Sequence, residues 1–324
     1  MTSAALLAPP QRTTQPRLPQ PRGPLSEAVL APLVRAPGPV SAPAWRGDDP
    51  LVDDDLQLAL YACYELHYRG FDGVDDAWEW EPSLLAVRRQ LEHVFEDGLR
   101  AAVRDAPDDD DDRSLSEHME RDGTLEQLRE FAVHRSPYQL KEADPHTWGI
   151  PRIAGEAKAL MVHIQADEYG DGDAAAMHAT RFADTMRALD LDDAYGAYLD
   201  DVPATTLATV NLISLFGLHR RWRGALVGHL AAFEMSSVVP MGRYARAMRR
   251  LGLPDEAARF YDVHVEADAE HEVIAADMVR ALLADEPDLA PDVVFGEAAL
   301  TEVERRFAAH LLDAWAAGRS SLRT

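Results

Sequence analysis

The sequence predicts an all-α protein, and three observations carry the prediction. From residue 51 onward apolar residues recur at i, i+3, i+4 and i+7 through long segments, the spacing of one helix face. Pro, Gly and acidic clusters separate these segments, as helix starts and stops do. Short alternating apolar and polar runs, the mark of half-buried strands, are almost absent.

Taken in order, the periodic segments place helices at about 52–68, 83–105, 114–134, 152–169, 173–188, 203–218, 220–236, 240–251, 254–284 and 296–317, each end fixed to within ~2–4 residues. The run DAPDDDDDR at 105–113 carries too much like charge to pack and reads as a solvated loop between two helices. Pro151 is placed to start the segment that reaches Tyr169, and EYGDGD ends it with two glycines. Pro254 and Asp255 open a helix of unusual length. No repeat of fixed period and no linker after residue 50 divides the chain, so residues 48–324 are expected to form one helical domain.

Residues 1–47 differ in kind. They hold ten of the 21 prolines, arginines but no lysine and almost no acid, and they show no periodicity, which predicts a disordered Pro/Arg-rich leader. A transit peptide would share the basic bias, but this many prolines oppose the amphipathic helix it needs.

Composition narrows the function. With 32 Lys+Arg against 56 Asp+Glu the net charge is −24, which repels nucleic-acid phosphates and anionic membrane surfaces. Cys63 is the single cysteine, so an intrachain disulfide, a Cys-rich zinc site and an iron–sulfur cluster are excluded, and any metal must be held by His and carboxylate. No apolar run approaches the roughly 20 residues of a membrane-spanning helix, and the expectation is a cytoplasmic protein.

Three segments carry candidate chemistry. In HVEADAEH, Asp268 lies four residues after His264 and His271 three after Asp268, so at ~100° per residue all three share one narrow helix face. Imidazole and carboxylate together suit iron, manganese or zinc, although Glu266, Glu270 and Glu272 show that a charged face needs no metal. In GEAKALMVHIQADEYG, Glu156 stands seven residues before His163, nearly eclipsed, amid Ala157, Leu160, Met161 and Ile164. Glu234 sits in the apolar GALVGHLAAFEMSSVVP, where an unpaired carboxylate needs a proton or a cation. Either a metal pair or a salt bridge to Arg221, Arg223 or Arg243 would answer that need.

Other groups weigh less. His93, Glu96 and Asp97 in LEHVFEDG read as a solvated helix face. Glu65, among Leu58, Tyr61, Ala62 and Tyr68, reads as a buried carboxylate behind the ligands, in the substrate pocket or in a salt bridge. Glu168 and Tyr169 follow His163 and are candidates to hydrogen-bond to ligands, with a core aromatic as the alternative for Tyr169. His219 and His229 read as packed core histidines.

E-x6-H on one helix, a lone Glu on another and H-x3-D-x2-H on a third resemble the heme-oxygenase-like diiron oxidases. The text QADEYGDGD, LVGHLAAFE and RFYDVHVEADAEHE is similar to that of proteins labelled iron-containing redox enzymes, over roughly residues 50–317 and not the leader. The resemblance implies a heme-oxygenase-like helical bundle that binds no haem and uses two Fe ions, with a Mn/Fe pair left open, to activate O2 and oxidise a small organic substrate. It implies Glu156, His163, Glu234, His264, Asp268 and His271 as ligands, with Glu234 bridging. Three carboxylates would reduce the charge of two divalent ions from +4 to about +1. An electron donor and a homodimer are further expectations, and the reaction itself is not specified, since such enzymes cleave C–C bonds, desaturate or N-oxygenate. The competing reading is a cofactor-free helical binding or interaction scaffold, whose buried His and Glu pair with arginines.

Overall fold

The helices that begin at Asp54, Pro82, Leu115 and Leu125 start at side chains that satisfy the first free backbone N–H groups. Asp53 accepts from Leu56 N at 2.9 Å, and Thr124 and Gln127 form a reciprocal box in which each side chain takes the other's backbone N–H. The structure, a computed structural model, describes residues 15–106 and 114–323, apart from the side chains of residues 268 and 269. Thirteen α-helices and no strand are found among the described residues. They are α1 (Pro24–Leu33), α2 (Asp54–Glu65), α3 (Pro82–Arg104), α4 (Leu115–Arg121), α5 (Leu125–Gln139), α6 (Asp144–Thr147), α7 (Gly155–Glu168), α8 (His178–Ala188), α9 (Ala204–Leu218), α10 (Arg223–Ser236), α11 (Val238–Arg250), α12 (Asp255–Asp285) and α13 (Ala290–Ala316).

The all-α class and nine of the ten expected segments match these elements as single helices. The segment at 114–134 is instead two helices, because Asp122 and Gly123 stop α4 and the Thr124 cap starts α5. The acidic run lies outside the described residues from position 107 to 113.

Residues 15–47 correct the expectation of a disordered leader. Leu25, Val29, Leu30 and Leu33 of α1 are buried against α2. The carboxylate of Asp55, thirty positions on, accepts from Leu25 N at 2.8 Å and Ser26 N at 2.7 Å and so caps α1. Further along, Trp78 Nε1 donates to Arg35 O at 3.0 Å. A tertiary cap and an apolar stripe only ten residues long outweigh the proline bias that composition registers.

Two apolar helices, α2 and α9, are buried on nearly every side and pack together in one part of the core. Helices α10 and α13 approach closely at Gly228 and Gly296, where an added Cβ would collide with the carbonyls of Val293 and Ala225 respectively. The 31 residues of α12 run ~46 Å and lie against α7, α8, α10 and α11. That convergence, with the turn between α5 and α6, forms the setting of the site.

Candidate metal centre

The site is built from helix ends and helix interiors that bury carboxylates and imidazoles. On α7 the buried stripe is Ala157, Met161, Ile164, Gln165 and Glu168, a 4-3-1-3 spacing. Glu168, at the last helical position, therefore faces inward. His178 opens α8, and Glu142 sits on the turn between α5 and α6. Glu234 belongs to α10, and His264 and His271 project from α12 two turns apart.

These six side chains form two overlapping buried groups. One ligand atom each from Glu142, Glu168, His178 and His264 lie within 4.8 Å of one another, and so do those from Glu168, Glu234 and His271. Glu168 is common to both. Imidazole and carboxylate meet at His178 Nδ1 to Glu168 Oε2 at 2.8 Å, His271 Nδ1 to Glu234 Oε2 at 3.1 Å and Nε2 to Asp167 Oδ2 at 3.1 Å, and more loosely at His264 Nε2 to Glu142 Oε1 at 3.7 Å. A cavity of about 40 Å³ opens against Glu142, Glu168, Glu234 and His264.

The donor set fits metal ions. His264 Nδ1 lies 2.7 Å from Phe260 O; a carbonyl only accepts, so Nδ1 carries the proton and Nε2 offers its lone pair to the cluster. His178 Nε2 is buried with no hydrogen-bond partner among the described residues. Burial pushes Glu142 and Glu234 above the usual carboxylate range and holds His178 down to about 4, with His264 adding to the effect. His271 goes the other way: burial opposes its charge, but the hydrogen bond and charge of Glu234 prevail and raise it to about 9. Several carboxylates crowded in a dry site disfavour their charged forms, and divalent cations reverse that preference.

Behind the cluster, the Gln139 amide end lies 2.8 Å from Glu142 Oε1, and turning the amide so that its nitrogen faces the carboxylate makes this a hydrogen bond donated to Glu142. The three arginines offered as partners for Glu234 are engaged elsewhere: Arg221 with Glu96, Arg223 with Glu286 and Arg243 with Glu120.

Against the sequence-based ligand set, the structure brings Glu234, His264 and His271 together. It leaves Glu156 and His163 out. Both are exposed, because they lie roughly 120–140° around α7 from Glu168 at ~100° per residue. The ligand assignment for this pair is therefore corrected, and Glu168 with His178 occupies the place expected for it. The side chain of Asp268 lies outside the described residues.

Glu168, expected behind the ligands, is itself in both groups, while Tyr169 is outside them and donates to Asp144 Oδ1 at 2.9 Å. Glu65 is fully buried outside both groups and pairs at 3.1 Å with Lys141, the chain neighbour of Glu142. His93 is exposed. Glu142 and His178 were not singled out by sequence reasoning.

A family model described as iron-containing redox enzyme matches residues 129–305, more than half of the chain. The chain belongs to the iron-containing redox enzyme family. The matched span contains all six clustered residues of this iron-containing redox enzyme, and with the all-α architecture it agrees with the heme-oxygenase-like bundle expected. No protein of curated function matches the sequence. No helix among the described residues is long and apolar enough to cross a membrane.

Proposed function

We propose that this iron-containing redox enzyme is a non-haem diiron oxidase or oxygenase that activates O2 to oxidise a small organic substrate. One observation carries the reading: two buried His/carboxylate groups share Glu168, so a single carboxylate could serve two metal ions. Glu142, His178 and His264 would hold one ion and Glu234 and His271 the other, with Asp268 retained as a further ligand on its spacing along α12. Two Fe(II) ions held there would supply electrons and open coordination positions for O2; a Mn/Fe pair would serve the same ligands.

The protein's own residues orient and enclose. Phe260 O fixes the His264 tautomer, Gln139 holds Glu142, and Asp167 holds the outer nitrogen of His271. Leu230, Phe233 and Met241 make the cavity wall apolar and limit water at the centre. The reading would require an external electron donor to restore the reduced metal pair, and it retains the expected cytoplasmic setting. The scaffold reading is weakened because the arginines it requires pair with other carboxylates.

Anaerobic titration of the apo-protein with Fe(II) tests the proposal. Binding of about two irons per chain, followed by a transient visible absorption on mixing with O2, is expected. Saturation at one iron or none would remove the diiron reading.

A further inference from the structure

The end of α7 carries two consecutive acids that face different ways. Glu168 continues the buried stripe, whereas Asp167, ~100° around the helix, keeps 41% of its side chain exposed. Asp167 Oδ2 lies 3.1 Å from His271 Nε2, and the other nitrogen of the same ring, Nδ1, lies 3.1 Å from Glu234 Oε2. Glu234 in turn shares its group with Glu168. A line of oxygen and nitrogen atoms able to hold a metal thus runs from solvent to the shared carboxylate.

A divalent ion gives up its hydration only where other oxygens or nitrogens replace it. The Asp167 side offers that replacement at every step. Glu266, Glu270 and Glu272, all exposed, flank His271 along α12, so the surface there attracts cations. The approach past Tyr138, Phe233 and Met241 presents half-buried aromatic and thioether surface instead, across which an ion would lose water without compensation. The imidazole of His271 stands between the outer and the inner carboxylate, and its last torsion is broad and soft, so the ring can turn while the backbone of α12 stays in place.

We propose that Asp167 and His271 form the port through which Fe(II) enters and leaves the centre. Asp167 takes the ion from solvent in exchange for water, His271 receives it, and Glu234 and Glu168 hold it. The port rests on reading the site as a metal centre. It gives Asp167 a kinetic task besides holding the His271 ring, and one substitution separates the two tasks: Asp167→Asn keeps an oxygen that accepts from the ring N–H while removing the charge that draws the ion in.

Anaerobic rapid mixing of the full-length apo-protein with Fe(II), and release of bound Fe(II) to excess 2,2′-bipyridine followed by the colour of its complex, test the port. In Asp167→Asn both rates should fall about ten-fold at low salt, the scale of electrostatic steering. The dissociation constant should stay unchanged, because a port lowers the barrier equally in both directions. Added salt should slow uptake by the parent more than by the variant. Glu156→Gln, which removes one charge from the exposed face of the same helix, should leave both rates as they are. Uptake at the parent rate, or release that is not slowed, overturns the port and leaves Asp167 only as support for His271. Equal slowing in Glu156→Gln overturns it in favour of general surface charge. A parent protein that binds no iron removes the metal reading itself, while full binding with unmoved rates removes only the port.

Discussion

Glu168→Ala is expected to lower bound iron from about two per chain to below one, a larger loss than any other single substitution at the centre. The reason is geometric. Every other clustered side chain belongs to one of the two groups, whereas Glu168 belongs to both. Removing a residue behind a ligand costs roughly 10–100-fold in metal affinity, and removing a shared ligand should exceed that at each position. His178→Ala and Glu234→Ala should each weaken mainly one ion. Glu156→Ala and His163→Ala should leave the count unchanged, because both side chains are exposed on the outer face of α7. Iron per chain after anaerobic loading and desalting, with circular dichroism to confirm helix content, distinguishes these cases. A Glu168→Ala protein that keeps two irons would show that the carboxylate is not shared.

The second large effect is on stability. Lys141 and Glu65 are 1% and 0% exposed and pair at 3.1 Å, in a pocket where Tyr195 donates to the same Glu65 oxygen at 2.6 Å and the Lys141 ammonium lies 4.0 Å from the Tyr68 ring centre. Lys141→Met leaves the Glu65 charge buried without its counter-ion, which should cost about 3–5 kcal/mol. Adding Glu65→Leu removes the orphaned charge and should return most of that loss, since two apolar side chains of similar volume replace an ion pair at little net cost. Urea unfolding at neutral pH of the two single variants and the double variant measures the cycle. A Lys141→Met protein within about 1 kcal/mol of the parent would show that the pair is not isolated from water. Because Lys141 precedes Glu142, its loss should also loosen the turn that carries this candidate ligand.

Where the site could be read from sequence, burial and period agreed. Glu234 stands out as a carboxylate in an apolar helix, and His264 and His271 share a face of α12, so their meeting follows from properties of single segments. Glu156 and His163 show the limit of that logic. A seven-residue spacing says that two side chains share a face, but not which face turns inward. Ala157, Met161 and Ile164 define the inward stripe, and Glu168, four residues beyond Ile164, continues it. Glu168 was thus legible as the buried acid of α7 had the stripe been followed to its end.

Glu142 and His178 offered no such signal. Glu142 lies on a turn after Pro137, next to Ala143 at φ 75°, where no period applies. His178 opens a helix after a glycine-containing loop, and its direction is set by the packing of α8 on α12. Helix α1 was hidden for a different reason: its N-terminus is capped by Asp55, a long-range contact that no local window registers.

Diffraction from crystals grown anaerobically with Fe(II), recorded on both sides of the iron absorption edge, tests whether Glu168 joins two metal positions. Two anomalous peaks are expected roughly 3.5–4 Å apart, both within bonding distance of Glu168, one beside His178 and His264 and the other beside Glu234 and His271. A single peak, or iron bound at Glu156 and His163, would contradict a shared Glu168.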